Sequence, residues 1–182
     1  MRRLLPLITT PRLVLRPFVS SDAPDVIAYR GRSDVCRYLL IEPMDEPTIE
    51  AFIADRLDAV RPGDDGGKLV LAIELDGRVV GDVTMKFGPR VDRQGEVGWI
   101  VHPDVGGQGY ATEAARAFVS TGFAEWDLHR VFAQLDPRNE ASARLCERLG
   151  MRKEAHLRDE SWFKGEWGDL AIYAILESEW TG

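Results

Sequence analysis

The stretch HPDVGGQGYATEAA, residues 102–115, places three glycines within four positions directly before a run of helix-forming residues. Glycine loses more conformational freedom on folding than any other residue, so this clustering indicates a tight turn or a close approach of backbone to a ligand. The preceding EVGWIVHP (96–103) has a strand pattern, and the following ATEAARAFVSTGFAEW (111–126) has a helix pattern. A helix that begins at such a loop exposes unpaired N–H groups and the positive end of its dipole, which favours an anion.

The spelling of the loop excludes two nucleotide-binding motifs. A nucleoside-triphosphate loop needs Lys followed by Ser or Thr, and neither follows Gly109. A dinucleotide fingerprint needs a third small residue that GQGYAT (107–112) lacks at the required place. From its own residues the loop is therefore either an anion site of another kind or a simple turn.

The rest of the chain alternates strand and helix patterns. Strands are predicted in RLVLRPF (12–18), on both sides of Asp76–Gly77 in KLVLAIELDGRVVGDVTMKF (68–87), in VFAQLDP (131–137), and twice in EAHLRDESWFKGEWGDLAIYAIL (154–176). Helices are predicted in APDVIAYR (23–30), in IEAFIADRLDAV (49–60), and in EASARLCER (140–148) between an Asn139 cap and Gly150. Gly81 marks a bulge, and RPGDDGG (61–67) is a loop.

This order of elements predicts one α+β domain with a mixed, mostly antiparallel central sheet flanked by helices. A single parallel step is expected where the helix at 111–126 crosses between two strands. The chain of 182 residues is long enough for a sizeable core.

The amino-acid composition limits the cellular compartment and the classes of binding partner that we expect. The net charge of −7 argues against nucleic acid as the main partner and is compatible with a cationic substrate such as an amine. Two Cys predict a reduced cytoplasmic protein, and together with three scattered His they do not form a metal site. Apolar runs stay well short of the ~20 residues of a membrane span, so we expect no membrane association.

The loop and its neighbours resemble the GNAT acetyltransferase superfamily, specifically its RimJ/RimL-like branch. That family has a strand, a loop of the form (Q/R)xxGx(G/A), and then a helix; GGQGYA (106–111) fits, with Gly106 where many members have Gln or Arg. Four further segments match in order: RLVLRPF, GEVGWIVHP, NEASARLCERLGM and GEWGDLAIYAI. The resemblance covers nearly the whole chain and implies one N-acetyltransferase domain over residues 1–182.

The resemblance implies acetyl-CoA as co-substrate and a set of residues that hold it. The pyrophosphate is expected on the backbone amides of the loop, and the pantetheine arm in a splay between residues 97–101 and 131–135. The implied binding residues are Ile100, Val101, Gly106, Gly107, Gln108, Gly109, Tyr110, Ala111, Thr112, Asn139 and Ser142. From its residues alone, Asn139 is equally a helix N-cap.

The family uses direct transfer in a ternary complex, which needs a base, an oxyanion donor and an acid. Glu96 is the expected base, or else a solvated charge at the start of a strand, and a backbone N–H around Ile100–Val101 is the expected oxyanion donor. Cys146 stands where the wider superfamily often has a Tyr that acts as the general acid, and it is either that acid or a buried inert Cys. Ser142 is the alternative acid, or else simply a small helix residue. Glu113, in the first helical turn, is expected to be structural.

The acceptor is expected to be a primary amine, either a protein N-terminus or a small molecule. Several residues are interpreted either as part of the acceptor site or as structural. The acidic ones are Asp22, Asp25, Glu46 and Glu50. The aromatic ones are Trp162, Phe163 and Trp167, which could form an acceptor wall or a homodimer contact, and Tyr173. The competing hypothesis is a catalytically idle acyl-CoA-binding module that senses or assembles.

Overall fold

A computed structural model describes residues 7–57 and 66–182, and its strands form one eight-stranded sheet in the order β1-β2-β3-β4-β5-β6-β8-β7. The strands are β1 Ile8–Thr9, β2 Val14–Arg16, β3 Lys68–Leu75, β4 Arg78–Phe87, β5 Gln94–Val101, β6 Arg130–Leu135, β7 Arg152–Phe163 and β8 Glu166–Leu176. All neighbouring strands pair antiparallel except β5 and β6. The predicted fold class and its single parallel step are confirmed.

The helices lie on both faces of this sheet. They are α1 Ala23–Arg30, α2 Ser33–Cys36, α3 Glu46–Leu57, α4 Tyr110–Glu125 and α5 Glu140–Arg148. The predicted helix that covers residues 49–60, with an expected start near Pro47–Thr48, begins at Glu46. Its last three residues lie outside the described part, as do residues 61–65 of the predicted loop. In the described residues, no helix is long and apolar enough to cross a membrane.

The core has two layers because the central strands bury both faces. Along β3, Leu69, Leu71 and Ile73 belong to the cluster under α4 and α5, whereas Val70 and Ala72 belong to the cluster under α1 and α3. This alternation is the period of two of a strand, and burial on both sides explains the unbroken apolar run.

Two features of β4 and β5 shape the site. The pairing of β4 with β3 shifts between Gly81 and Val79, so Val80 is an extra residue, and a Cβ on Gly81 would run into the carbonyl of Ile100. The predicted bulge at Gly81 is thus confirmed. Strands β5 and β6 pair only from Gln94 to Glu96, although both continue further. Beyond Glu96 the two strands separate, and the sheet has an opening there.

Candidate active site

The glycine loop leaves backbone amides exposed at the start of α4. Gly107 and Gly109 have φ of +76° and +84°, a left-handed conformation that side chains disfavour. The N–H of Glu113 makes the first helical bond, to the carbonyl of Gly109 at 2.9 Å. The amides of Tyr110, Ala111 and Thr112 therefore have no helical partner and can receive an anion.

Gly106 has a different role, because its φ is −64°. Its N–H donates to the carbonyl of Pro103 at 2.8 Å, and an added Cβ would lie 2.8 Å from that same oxygen. The tight 3₁₀ turn Pro103–Val105 has no room for a side chain here. This contact gives a physical reason for the departure from the family's Gln or Arg.

Glu113 and Arg12 anchor the loop to the start of the sheet. The carboxylate of Glu113 accepts from Thr10 Oγ1 at 2.6 Å, from the backbone N–H of Arg12 at 3.0 Å and from Arg12 Nε at 2.7 Å. Arg12 also donates to the carbonyl of Gln108 at 3.0 Å and lies 4.4 Å from the Tyr110 ring centre. Burial raises the pKa of Glu113, but the bonds from Thr10 and Arg12 outweigh it and lower the pKa. The expected structural role of Glu113 agrees with these contacts.

Successive residues of β5 direct their backbone N–H and C=O groups alternately toward β4 and toward β6. This alternation determines which amides face the opening beside β6. His102 N–H donates to Val80 of β4 at 2.7 Å, and Gln94 accepts from Gly88 at 2.9 Å, so even-numbered residues of β5 turn their backbone toward β4. Trp99 and Val101 consequently turn theirs toward the opening. Of the two predicted oxyanion donors, Val101 has the right orientation, whereas the Ile100 N–H is turned to Asp82.

A cavity of about 400 Å³ lies beside this opening. Its walls come from the face of β3–β5, the segment 37–41 after α2, the start of α5, and the β7–β8 hairpin. Of the predicted site residues, Glu96, Ile100, Asn139 and Ser142 line it, together with Trp99. The loop residues 106–112 are not among its walls; they lie beyond the end of β5.

Asn139 and Ser142 are organised around the N-terminus of α5. Asn139 Oδ1 accepts from the N–H of Ser142 at 3.1 Å, which is the N-cap bond. Trp99 Nε1 donates to Ser142 Oγ at 3.3 Å. Because that oxygen accepts from Trp99, the hydroxyl proton of Ser142 is free to donate into the cavity.

Glu96 lies on the cavity face in an ion pair. Its Oε1 accepts from Lys86 Nζ at 2.8 Å, and its side chain is 24% exposed. Lys68, Lys86 and Glu96 are neighbours across β3, β4 and β5. The carboxylate is therefore reachable from the cavity and is not simply a solvated charge.

Cys146 is in the wrong place for the predicted acid. Its side chain is fully buried in the core, it does not line the cavity, and burial raises its pKa to about 12. Tyr173, also buried and outside the lining, does not reach an acceptor in the cavity. Both residues belong to the core cluster, Cys146 on the buried face of α5 and Tyr173 on β8.

The hairpin aromatics separate into two groups. Phe163 lines the cavity, but Trp162 and Trp167 do not. These two rings contact each other with centres 5.5 Å apart and are 60% and 58% exposed. Of the four acidic residues considered for the acceptor, none lines the cavity; Asp22 pairs with Arg16 and Asp25 with Arg78.

The sequence reading missed a buried ion pair at the cavity floor. Asp82 is 1% exposed and accepts from Arg30 Nη2 at 2.6 Å, from Arg30 Nε at 2.9 Å and from the Tyr29 hydroxyl at 2.8 Å. Burial, followed by the charge of Asp82, raises the pKa of Tyr29. The sequence signal for this pair was the carboxylate of Asp82 inside the apolar strand VVGDVTM (79–85). Its partner Arg30 lies 52 positions away, and the sequence does not indicate that the two residues meet.

The chain matches known acetyltransferases over most of its length. The Acetyltransferase (GNAT) domain family matches residues 12–152. The chain is 33% identical over 176 residues to the uncharacterised N-acetyltransferase YnaD of Bacillus subtilis, covering 96% of this chain and 99% of YnaD. It is 27% identical over 168 residues to spermidine N(1)-acetyltransferase of Escherichia coli, covering 91% and 87%. A GNAT-family acetyltransferase structure from Bacillus anthracis superposes with a TM-score of 0.84 at 32% identity, covering 96% of this chain and all of that one. The chain therefore belongs to the GNAT acetyltransferase family and is an acetyl-CoA-dependent N-acetyltransferase.

Proposed function

We propose that the enzyme transfers the acetyl group of acetyl-CoA directly to a primary amine held in the 400 Å³ cavity, within a ternary complex. The observation that carries this proposal is the opening between β5 and β6, which lies between the exposed amides at the start of α4 and the cavity. Donor and acceptor then meet from opposite sides of the sheet without an acyl-enzyme.

The residues of the loop fit a pyrophosphate. The unpartnered amides of Tyr110, Ala111 and Thr112 and the left-handed Gly107 and Gly109 allow close approach of backbone to phosphate oxygens. Asn139 and Ser142, at the edge of the opening, are the proposed contacts of the pantetheine arm.

The chemistry is an attack of the neutral amine on the thioester carbonyl, with release of the thiol. Glu96 accepts the proton of the amine through water. The N–H of Val101 donates to the oxygen that gains negative charge. Ser142 donates its hydroxyl proton toward the departing sulfur and is reprotonated from solvent, to which Glu96 releases the proton taken from the amine. The net reaction converts amine and acetyl-CoA into amide and CoA thiol.

The decisive experiment measures release of free CoA thiol from acetyl-CoA over a panel of amines. Glu96→Gln should lower kcat by about 10²-fold, the ordinary size of a general-base effect, and should leave acetyl-CoA binding unchanged. Glu125→Gln, an exposed change on α4, is the control. A Glu96→Gln enzyme with normal kcat would remove Glu96 from the mechanism.

Two acceptor classes follow from the relatives and the fold. The spermidine acetyltransferase of Escherichia coli favours a polyamine, and the RimJ/RimL-like loop favours a protein N-terminal amine. The exposed pair Trp162–Trp167 is the proposed contact of a homodimer. Sedimentation of wild type and of Trp162→Ser tests that contact.

The second functional class is a catalytically idle acyl-CoA-binding module. The observation that favours it is the burial of Cys146, because the family's usual acid position then has no proton to offer the cavity. Tight acetyl-CoA binding by calorimetry, with no thiol released in the presence of any amine, would support the idle module over the enzyme.

A further inference from the structure

The cavity proposed for the acceptor carries an excess of positive charge, although the chain as a whole has a net charge of −7. Its positive side chains belong to Arg30, Arg37, Lys68, Lys86, Arg138 and Lys164. Its carboxylates belong to Asp82, Glu96, Asp136, Glu166 and Asp169. A cavity built to attract a polycation would have the opposite balance.

The carboxylates are already engaged. Asp82 is held by Arg30, Glu96 by Lys86, and both Asp136 and Glu166 by Arg138. The remaining one, Asp169, accepts from the backbone N–H of Asp159 at 3.0 Å and lies 2.7 Å from His156 Nε2. A cationic substituent on an acceptor would therefore meet carboxylates whose charge is already offset by a neighbouring cation or hydrogen bond.

Among the described residues, three of these cations have no carboxylate partner: Arg37, Lys68 and Lys164. Lys164 instead donates to the carbonyl oxygens of Cys36 and Leu39, which leaves Lys68 and Arg37. Within residues 7–57 and 66–182, no carboxylate lies within ion-pair distance of Lys68 Nζ or of the Arg37 guanidinium. In the described residues the contact of the Arg37 guanidinium is with the ring of Tyr38, whose centre lies 5.2 Å from Arg37 Cζ. Lys68, the exposed first residue of β3, lines the cavity, and Arg37 lies in the wall formed by residues 37–41.

The surroundings of Lys68 add to this imbalance. Its strand partner is Lys86, and like charges directly opposite in a sheet repel. Partial burial and then the positive charges of Arg56, Lys86 and Arg30 lower the pKa of Lys68. Asp82 acts in the opposite direction but is bound by Arg30. An anion beside Lys68 would relieve this repulsion.

We propose that the acceptor is an amine that also carries a carboxylate, which Lys68 binds, with Arg37 as a second cation lining the same cavity. The inference rests on the proposed acetyl transfer in this cavity. It selects amino acids, or peptides with an acidic side chain near the N-terminus, over polyamines.

The register of the sheet sets the spacing between the two groups of the acceptor. Lys68 is two strands from Glu96, so their backbones are separated by roughly 9–10 Å. A carboxylate at Lys68 and an amine near Glu96 are therefore several bonds apart. Acceptors with an amine and an acid at opposite ends of a short chain should fit better than those with both on one carbon.

The test measures kcat/KM for acceptors that are matched in length and differ in charge. The pairs are γ-aminobutyrate with putrescine, 5-aminopentanoate with cadaverine, and the peptides Ser-Glu-Ala-Ala and Ser-Lys-Ala-Ala with amidated C-termini. We expect the acidic member of at least one pair to have at least tenfold higher kcat/KM, and the small-molecule and peptide pairs tell a free amino acid from a peptide. Lys68→Gln should remove most of this preference and Lys68→Arg should keep it, while Lys153→Gln, on the exposed part of β7, is the control.

The outcomes separate the two proposals. Equal or better turnover of every diamine and Lys peptide would overturn the acidic acceptor and leave the acetyl transfer standing. A preference for acid that survives the combined Lys68→Gln and Arg37→Gln changes would overturn the assignment of these residues. Absence of turnover with every acceptor, despite acetyl-CoA binding, would overturn the proposed function itself.

Discussion

Replacement of Gly109 by Ala separates a binding role of the glycine loop from a simple turn. Gly109 has φ +84°, and apart from Arg12 Nη2 at 3.5 Å, no atom of the described residues is near the position of an added Cβ. The new methyl group would thus stand in the open space where the pyrophosphate is proposed to lie. The change adds one carbon and no charge.

The cost in stability follows from the backbone conformation. A left-handed conformation costs a residue with a side chain about 1–2 kcal/mol, and the stiffer unfolded chain of Ala returns about 0.4–1 kcal/mol. The net loss is about 1 kcal/mol, which lowers Tm by about 2–4 °C in a chain of this size. Gly109→Ala should therefore stay folded.

Gly77→Ala is the matched control. Gly77 has φ +80° in the β3–β4 turn and also has open space around the added Cβ, so its loss of stability should be the same. Only Gly109→Ala should weaken acetyl-CoA binding, at least tenfold in Kd by calorimetry. Unchanged affinity in folded Gly109→Ala, or an equal loss in Gly77→Ala, would refute the pyrophosphate assignment.

Three further changes test other parts of the structure. Cys146→Ala should keep kcat in the thiol-release assay, whereas Ser142→Ala should lower it about 10²-fold; the reverse pattern would restore Cys146 as the acid. Arg30→Met leaves the buried carboxylate of Asp82 without its cation, so chemical denaturation should show a loss of about 3–5 kcal/mol, and a loss below 1 kcal/mol would contradict the burial of this pair. The pKa of Glu113 is lowered in the folded state, so its contribution to stability is present above the free-glutamate pKa near 4.5 and is lost as pH falls through the lowered pKa. A Glu113→Gln protein should therefore show a smaller drop in Tm between pH 6 and pH 3 than the wild type. An equal drop would exclude the anchoring role of Glu113.

Features of the fold with a local signal were predictable. Asp76–Gly77 forms the two-residue turn of the β3–β4 hairpin, with φ of +50° and +80°, because those residues tolerate the left-handed conformation that such turns need. The loop before α4 was predictable for the same reason, and the bulge at Gly81 because a Cβ there would run into the carbonyl of Ile100. The two-residue β1 and the four-residue α2 were missed, since neither is long enough to show a period.

The candidate site was predictable only in part. Glu96, Asn139 and Ser142 line one cavity. Their roles could be predicted because each belongs to a segment that resembles the family. For Cys146 the structure agrees with the buried inert alternative, because an aligned position does not say which helix face is buried. Arg30 and Asp82 are brought together by the packing of α1 on β4, and Lys68 and Glu96 by the pairing of β3 and β5 with β4. These contacts join residues that are distant in sequence, so local patterns do not predict them.

The two halves of the site differ in the kind of group that forms them, and this explains why the donor can be read from the sequence and the acceptor less well. The proposed donor half uses backbone amides, so the ligand has to approach the main chain closely. Gly107 and Gly109 allow that approach, and their presence is visible in the sequence. The acceptor half uses the tips of side chains from β3, β5, the segment after α2 and the β7–β8 hairpin. Its charge balance exists only after folding, when the ion pairs of Glu96 and Asp82 are formed and Lys68 is left over. We therefore expect that one or two charge substitutions on this wall change the acceptor, with no change in the loop proposed to bind acetyl-CoA.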